Sequence, residues 1–294
     1  MVALCPICGA DGIDMVYQGF IRMGRYGDSS DRSFCVPHCL SCDTAWLDEA
    51  FFDYSQEHYR KQVDGEASIE AYHRLHDRDQ VNALEVVGTG EVRGAVVADI
   101  GCGGGSFLDA VKGFASKTLA IEPAAFYHEG LKKKGHCPYP GLEQALETHA
   151  GEVDLATCLS VIEHVDDPVT LLGRARQLLK PGGRLVVSTP NRNDWLLQLL
   201  PEEYGAFFYR AAHRWYLTGK SLEEIGRRAG FNIAQVRHRH RFGLANMLLW
   251  LRDKRPTGHD AVAVPPVLDA AFRGTLDHVG LADYIYAELK STCS

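Results

Sequence analysis

The chain has 294 residues, 46% of them hydrophobic and 23% charged, with a formal net charge of -7 at pH 7. That length suits one large domain or a domain with a small module, and the composition excludes a disordered or fibrous chain. The negative balance argues against a surface built as a whole to hold nucleic acid.

Residues 1–48 read as a cysteine-rich module. Cys5 and Cys8 lie in CPICG, and Cys39 and Cys42 in CLSCD. Two C-x-x-C pairs separated by a strand-rich segment can converge on one tetrahedral ion, each tight turn holding two sulfurs on the same side. Zinc is the expected ion, with iron the minor alternative. Core cysteines or a redox pair compete with this reading, and two matched pairs outweigh them. Cys35 and His38 lie near the second pair and could replace one ligand, at less fitting spacings. Four protein ligands leave no open position, so the ion is expected to be structural. Such an ion contributes on the order of 10 kcal/mol to folding a module too small for its own core. Cys102, Cys137, Cys158 and Cys293 are scattered and read as core or surface thiols. The N-terminal MVALCPICG has no basic region and no long apolar core, so no secretory signal is expected. The expected location is cytoplasmic, where thiols more often bind metal or sit in cores than pair.

Residues 49–90 are polar with a helical pattern and read as a connector ending at the Gly88–Gly90 turn. From 91 to 241 strands and helices alternate. GAVVADIG is a buried strand and SFLDAVKGF the helix after it; TLAIEP and AAFYHEGLKKKG repeat the unit. VDLATCLSVI is another strand. In DPVTLLGRARQLLKPGG, Asp167 can cap a helix, Pro168 suits its first turn, and Gly182 is expected to end it. RLVVSTP is the next strand. SLEEIGRRAGF opens with Ser221 and Glu224 in capping-box spacing. FNIAQVRHRHRF is read as a strand, and ADYIYAELK, in the stretch 282–294, as the last one. Residues 242–281 read as a helical insertion, either a cap over the site or a packing appendage. LANMLLWL at 244–251 is far short of the roughly 20 apolar residues that cross a bilayer, so no membrane span is expected. The alternation predicts an α/β fold with a doubly wound, mainly parallel sheet, whose ligands bind at the carboxyl ends of the strands.

DIGCGGGSFLD at 99–109 is the chain's ligand loop. Glycine permits close backbone approach and a sharp strand-to-helix turn. Asp99 would repel a pyrophosphate and suits a cationic amino-acid cofactor. Glu122, at the end of the next strand, is placed to accept from ribose hydroxyls. GGGSF lacks the G-K-[ST] of an ATP-type loop. VADIGCGGGSFLDAV resembles motif I of the class I S-adenosylmethionine-dependent methyltransferases. AIEPA, VDLATCLSVIEHVDDP, LLKPGGRLVVSTPN and HRWYLTGKSLEEIGRRAGF are similar to segments that follow it in that family. The cysteine module resembles the zinc-ribbon heads of a bacterial subgroup, many of which act on sugars, lipids or natural products. The resemblance implies a seven-stranded Rossmann-like sheet with a small N-terminal zinc ribbon. It implies that Asp99, Gly101 and Gly103 meet the methionine part of the cofactor and that Glu122 holds the ribose. Leu142 and Glu143 would lie where the third strand's end approaches adenine. Leu159 and Ser160 would lie close to the methyl sulfonium.

Methyl transfer needs alignment, exclusion of water and removal of a proton from an oxygen acceptor. His164, just beyond the strand that ends at Leu159, is the first candidate for base or acceptor-positioner, with Glu163 beside it. Its rival role is to cap or pack the turn. Ubiquinone-pathway O-methyltransferases share the Glu-His pair but carry a further glutamate three residues earlier. Ser160 stands there, so no divalent-metal site is expected. His213 in HRW is the second candidate, against a purely structural role. Tyr209 and Tyr216 are pocket-lining or core aromatics. In RHRHR, Arg237, Arg239 and Arg241 share one face of a strand and form either a phosphate grip or, more often, a solvated edge. The expected activity is methyl transfer to a small-molecule acceptor, chiefly at a hydroxyl of a sugar, lipid-linked or natural-product substrate. The alternatives are a nucleic-acid base methyltransferase that uses the ribbon for binding, or a non-catalytic cofactor-binding scaffold. LSVIEH in place of an [N/D]-P-P-[Y/F] loop argues against the base methyltransferase. Intact Asp99, glycine loop and Glu122 argue against the scaffold. The sequence carries no signature of oligomeric state.

Overall fold

The computed structural model describes residues 4–24, 26–49, 69–256 and 263–291. Cys293, most of the connector before residue 69 and residues 257–262 of the cap lie outside this range. In chain order, β1 (Ile13–Gly19), β2 (Phe34–Cys39) and β3 (Ala45–Trp46) come first. Helices α1 (Ile69–His76), α2 (Gln80–Val87) and α3 (Thr89–Val92) lead into β4 (Val96–Ile100). Then follow α4 (Ser106–Val111), β5 (Lys117–Ile121), α5 (His128–Lys133), β6 (Cys137–Tyr139) and α6 (Leu142–His149). Next are β7 (Val153–Leu159), α7 (Pro168–Leu178), β8 (Leu179–Pro190), α8 (Trp195–Leu199) and α9 (Glu203–Phe208). The chain closes with β9 (Trp215–Tyr216), α10 (Gly219–Arg228), β10 (Phe231–Arg239), α11 (Leu244–Asp253), α12 (Pro266–Val279) and β11 (Tyr284–Ser291).

The chain divides into two compact units. One comprises Phe52–Ser188, Ile225–Val236 and Ala287–Ser294 and holds most of a seven-stranded sheet of order β10-β11-β8-β7-β4-β5-β6. The pairs β4–β5, β4–β7, β5–β6 and β7–β8 are parallel. The strand order reverses at β4, so the crevice beyond its carboxyl end is the place where such sheets take ligands. β4, β5 and β7 are apolar runs because helices cover both faces: Val97, Ala98, Leu119, Ala120, Leu155 and Ala156 are all buried. Asp167 caps α7 by accepting from the amides of Val169 and Thr170 at 2.9 and 3.0 Å, with Pro168 in the first turn.

Two local expectations are corrected. Helix α7 stops at Leu178, short of Gly182. Pro181 disfavours helix at Lys180 and offers no amide, so the chain turns extended at Leu179, which pairs with Val153. Leu142 and Glu143 are not at a strand end. β6 stops at Tyr139, and both residues form the first turn of α6, where Glu143 pairs with Arg174.

The other unit comprises Met1–Phe51, Thr189–Glu224 and Arg237–Tyr286. It holds an antiparallel sheet of order β1-β2-β3-β9, in which Ala45 lies opposite Tyr216 and Trp46 opposite Trp215. The boundaries drawn from sequence separate residues 1–48 from this later chain and set 242–281 apart as an insertion. In the structure these stretches share one unit, because β3 finds its second neighbour in β9. Among the described residues of 242–281, the helices α11 and α12 match the helical pattern read from sequence.

Candidate functional site

The glycine loop begins where β4 ends. Gly101 and Gly103 have φ of +72° and +53°, a region that side chains with a Cβ rarely adopt. A Cβ on Gly101 would collide with Val161, and one on Gly103 would lie 2.6 Å from the Tyr72 ring. Asp99 is buried, and its Oδ1 accepts from the Thr157 hydroxyl at 2.7 Å. Burial pushes its pKa up to about 7; the Thr157 hydrogen bond opposes this and the nearby Glu122 charge reinforces it. Glu122 is buried too. Its Oε2 accepts from the Gly103 amide at 2.8 Å and its Oε1 from the Ala124 amide at 2.9 Å. A carboxylate oxygen accepts more than one hydrogen bond, so both oxygens keep capacity for hydroxyl donors. The loop therefore sets two buried carboxylates beside a glycine backbone, an arrangement suited to a ligand with one cationic group and a diol. Leu159 pairs with Ser188 of β8, and the Ser160 amide donates to the Ser188 carbonyl at 3.0 Å. Ser160 has φ of +56°, turning the chain so that Val161 packs on Gly101.

Two side chains hold this loop from outside. Tyr72 of α1 donates to the Cys102 carbonyl at 3.1 Å, and its ring fills the space above Gly103 and Gly104. Lys134 donates to the Gly104 carbonyl at 3.1 Å, to Asp109 at 2.6 Å and to His73 Nε2 at 2.6 Å. His73 Nδ1 in turn lies 3.0 Å from the Ser106 hydroxyl. Sequence reasoning missed Tyr72 and Lys134. Only Tyr72, an aromatic inside a polar helical connector, gave a signal.

Glu163 and His164 follow β7. Glu163 is buried, His164 Nε2 lies 3.9 Å from its Oε1, and the His164 amide donates to the Val161 carbonyl at 2.9 Å. His213 lies in the ribbon-containing unit, buried, with its Nε2 accepting from Arg210 Nε at 2.9 Å. Tyr216 Oη brackets Arg210, receiving its amide at 2.9 Å and donating to its carbonyl at 3.0 Å. Tyr209 and Tyr216 are fully buried core aromatics; Tyr209 stacks on Tyr17 at 4.5 Å. The arginine row is largely committed to carboxylates. Arg241 pairs with Asp283 at 2.8 Å, and Arg239 lies 3.8 Å from Asp277.

Cys5, Cys8, Cys39 and Cys42 present sulfurs that all lie within 4.8 Å of one another. Cys5 and Cys42 are 3.6 Å apart, and Cys8 and Cys39 3.5 Å. A tetrahedron with metal–sulfur bonds of about 2.3 Å has edges of about 3.8 Å, and a disulfide needs about 2.05 Å. The four thiols thus fit a single zinc ion. Burial raises the Cys5 thiol's pKa; at Cys8 burial is outweighed by the Ala10 amide and neighbouring thiols, which bring it to about 7. His38 is not among the ligands: its Nε2 is 2.6 Å from Asp43 Oδ1. Cys35 is exposed and outside the cluster.

A family model described as "Methyltransferase domain" matches residues 59–236. The chain is similar to the ubiquinone biosynthesis O-methyltransferase of Aromatoleum aromaticum, 29% identical over 165 residues that cover 49% of this chain and 66% of that protein. In fold it resembles a SAM-dependent methyltransferase of Thermotoga maritima, with a TM-score of 0.51 and 20% identity over 76% of this chain and 94% of that one. It also resembles the 1,6-didemethyltoxoflavin-N1-methyltransferase of Burkholderia thailandensis, solved with S-adenosylhomocysteine, with a TM-score of 0.50 and 15% identity over 92% of this chain and all of that one. Among the described residues no helix is long and apolar enough to cross a membrane. A parallel sheet that reverses direction at an acid-tipped strand and a glycine loop, matched over more than half its length, makes this chain a member of the S-adenosylmethionine-dependent methyltransferase family.

Proposed function

We propose that this chain transfers the methyl group of S-adenosylmethionine to a hydroxyl of a small-molecule acceptor, with Asp99, Gly101, Gly103 and Glu122 forming the cofactor cradle. The observation that carries the cradle is the pair of buried carboxylates, Asp99 and Glu122, flanking backbone in which two positions must be glycine. When bound, the cofactor supplies an electrophilic methyl on a sulfonium leaving group. Asp99 takes the ammonium of its amino-acid part, and Glu122 accepts from the ribose hydroxyls. Leu159 and Ser160 border the methyl-bearing end, and the turn at Ser160 gives that border its shape. The adenine side is assigned to Leu142 and Glu143, which stand in the first turn of α6. His164, with Glu163 alongside at 3.9 Å, removes or holds the acceptor's proton. His213, which accepts from Arg210, is the second candidate for that role. The hydroxyl preference follows the O-methyltransferase relatives. The four cysteines hold a structural zinc ion.

Calorimetry should show S-adenosylmethionine binding that Asp99→Ala abolishes, with no binding of NAD. Radiolabelled methyl transfer should then appear with phenolic, sugar or polyprenyl-linked hydroxyl acceptors and not with RNA or DNA. Binding of NAD in place of S-adenosylmethionine would sink the reading, and transfer to nucleic acid alone would replace the acceptor class.

A further inference from the structure

The two cysteine turns have the same backbone plan. In the first, the Gly9 amide donates to the Cys5 carbonyl at 2.9 Å; in the second, the Asp43 amide donates to the Cys39 carbonyl at 2.8 Å. Each turn ends on a left-handed residue, Gly9 at φ +78° and Asp43 at φ +63°. Glycine adopts that conformation freely. A residue with a Cβ does so at a cost of about 1–2 kcal/mol, least for Asp and Asn. The second turn therefore holds a charged residue where the backbone favours glycine.

The carboxylate explains the choice. Asp43 Oδ1 pairs with Arg192 and lies 2.6 Å from His38 Nε2, and Oδ2 accepts from the Thr218 hydroxyl at 2.8 Å. Arg192 follows β8, and Thr218 opens α10. One ribbon side chain thus fastens both ends of the segment that carries Arg210 and His213. Backbone hydrogen bonds fasten its middle. The Arg22 amide donates to the Tyr209 carbonyl at 3.0 Å, the Ala211 amide to the Arg22 carbonyl at 2.8 Å, and the Leu47 amide to the Arg214 carbonyl at 2.9 Å. β3 against β9 completes the join.

We infer that Asp43 is a positioning residue that ties the cysteine ribbon to the chain between Arg192 and Thr218, so that the ribbon serves as the internal scaffold of the His213 turn. The consequence for the acceptor rests on the role proposed above for His213; the scaffold itself does not. On the β3 side the ribbon is already paired with this chain's own β9, as a built-in support would be.

The decisive variant is Asp43→Gly. It relieves the left-handed backbone and removes only the carboxylate, so the ribbon should still fold and hold one zinc per chain. Amide hydrogen exchange across residues 209–218, and at Arg192, should speed up about tenfold or more. The affinity for S-adenosylmethionine should stay within about twofold of wild type, because the cradle lies in the other unit. Removing the metal from wild-type chain with a chelator should accelerate the same 209–218 amides. Unchanged exchange there after both treatments would overturn the inference. If Asp43→Gly also loses zinc, Arg192→Met decides, since it leaves the ribbon's own sequence intact: faster exchange at 209–218 with zinc retained supports the tie, and unchanged exchange overturns it. Failure of wild-type chain to bind S-adenosylmethionine would count against the proposed function and leave the exchange result readable.

Discussion

Asp99 lies at the tip of a buried strand with one hydroxyl partner and a second carboxylate nearby, and burial pushes its pKa up to about 7. A cationic ligand favours its ionised form, so binding should release a proton wherever the free chain is still protonated. Affinity for S-adenosylmethionine should therefore fall by about tenfold for each pH unit below 7 and level off above it. Asp99→Asn should bind more weakly throughout, with a flat pH profile. Titration calorimetry between pH 5.5 and 8.5, in buffers of different ionisation enthalpy, reads both the affinity and the proton; a flat wild-type profile would rule out Asp99 as the partner of the cation. This residue was legible in sequence because its chemistry is local: an acid two positions before a glycine, at the end of an apolar run. Glu122 and the four cysteines were legible for the same reason. Asp43 was not, because its partners Arg192 and Thr218 lie far along the chain.

At the scale of elements, helix α1 shows how a segment without a motif can shape a motif. Its Tyr72 places a ring over Gly103 and Gly104 and a hydroxyl on the Cys102 carbonyl, and its His73 meets Lys134, which holds the Gly104 carbonyl. Both pins act on carbonyls and hold the loop in the conformation in which the Gly103 amide donates to Glu122. Truncating a buried ring forfeits packing worth roughly 3–5 kcal/mol, and the loop bears the loss directly. Tyr72→Ala should weaken S-adenosylmethionine binding by about a hundredfold or more, whereas Tyr72→Phe, which keeps the ring, should lose only the roughly 0.5–1.5 kcal/mol of one hydrogen bond, about two- to twelvefold. Equal losses in the two variants by calorimetry would show that the hydroxyl, and not the ring, sets the loop. The same scale shows where sequence patterns stop. β9 is two residues long and carries no periodicity, so its pairing with β3 could not be foreseen. β6 is three residues long, which is why Leu142 and Glu143 were placed at a strand end when they begin a helix. The expected end of α7 at Gly182 followed the usual glycine stop, but Pro181 acts first.

For the molecule as a whole, the two units each bury a carboxylate that resists ionisation. Asp99 is one. Asp194 in the ribbon-containing unit is the other: burial and the neighbouring Asp283 charge push its pKa up to about 7, against the Tyr204 hydroxyl that donates to it at 2.6 Å. A folded-state value raised above the unfolded one gives stability that is complete below about pH 4 and lost as pH rises through about 7. Each site corresponds to roughly 4 kcal/mol across that window. Asp109, Asp154 and Asp167 act with the opposite sign, their values lowered by the Lys134, Lys180 and Thr170 hydrogen bonds that outweigh partial burial, so their contribution is lost in acid. The free chain should therefore be most stable at about pH 4 to 5 and lose stability as pH rises toward 7, and its melting temperature should still fall by a few degrees from pH 6 to pH 8.5, nearly all of it before about pH 7.5. Asp99→Asn combined with Asp194→Asn should flatten that alkaline fall. Saturating S-adenosylmethionine should reduce the Asp99 part alone, since a bound cation stabilises the charged form, and leave the Asp194 part in place. Scanning calorimetry of the zinc-loaded chain at both pH values, with and without cofactor, separates the two contributions; an alkaline fall that is as steep in the double variant as in wild type would assign it to other groups.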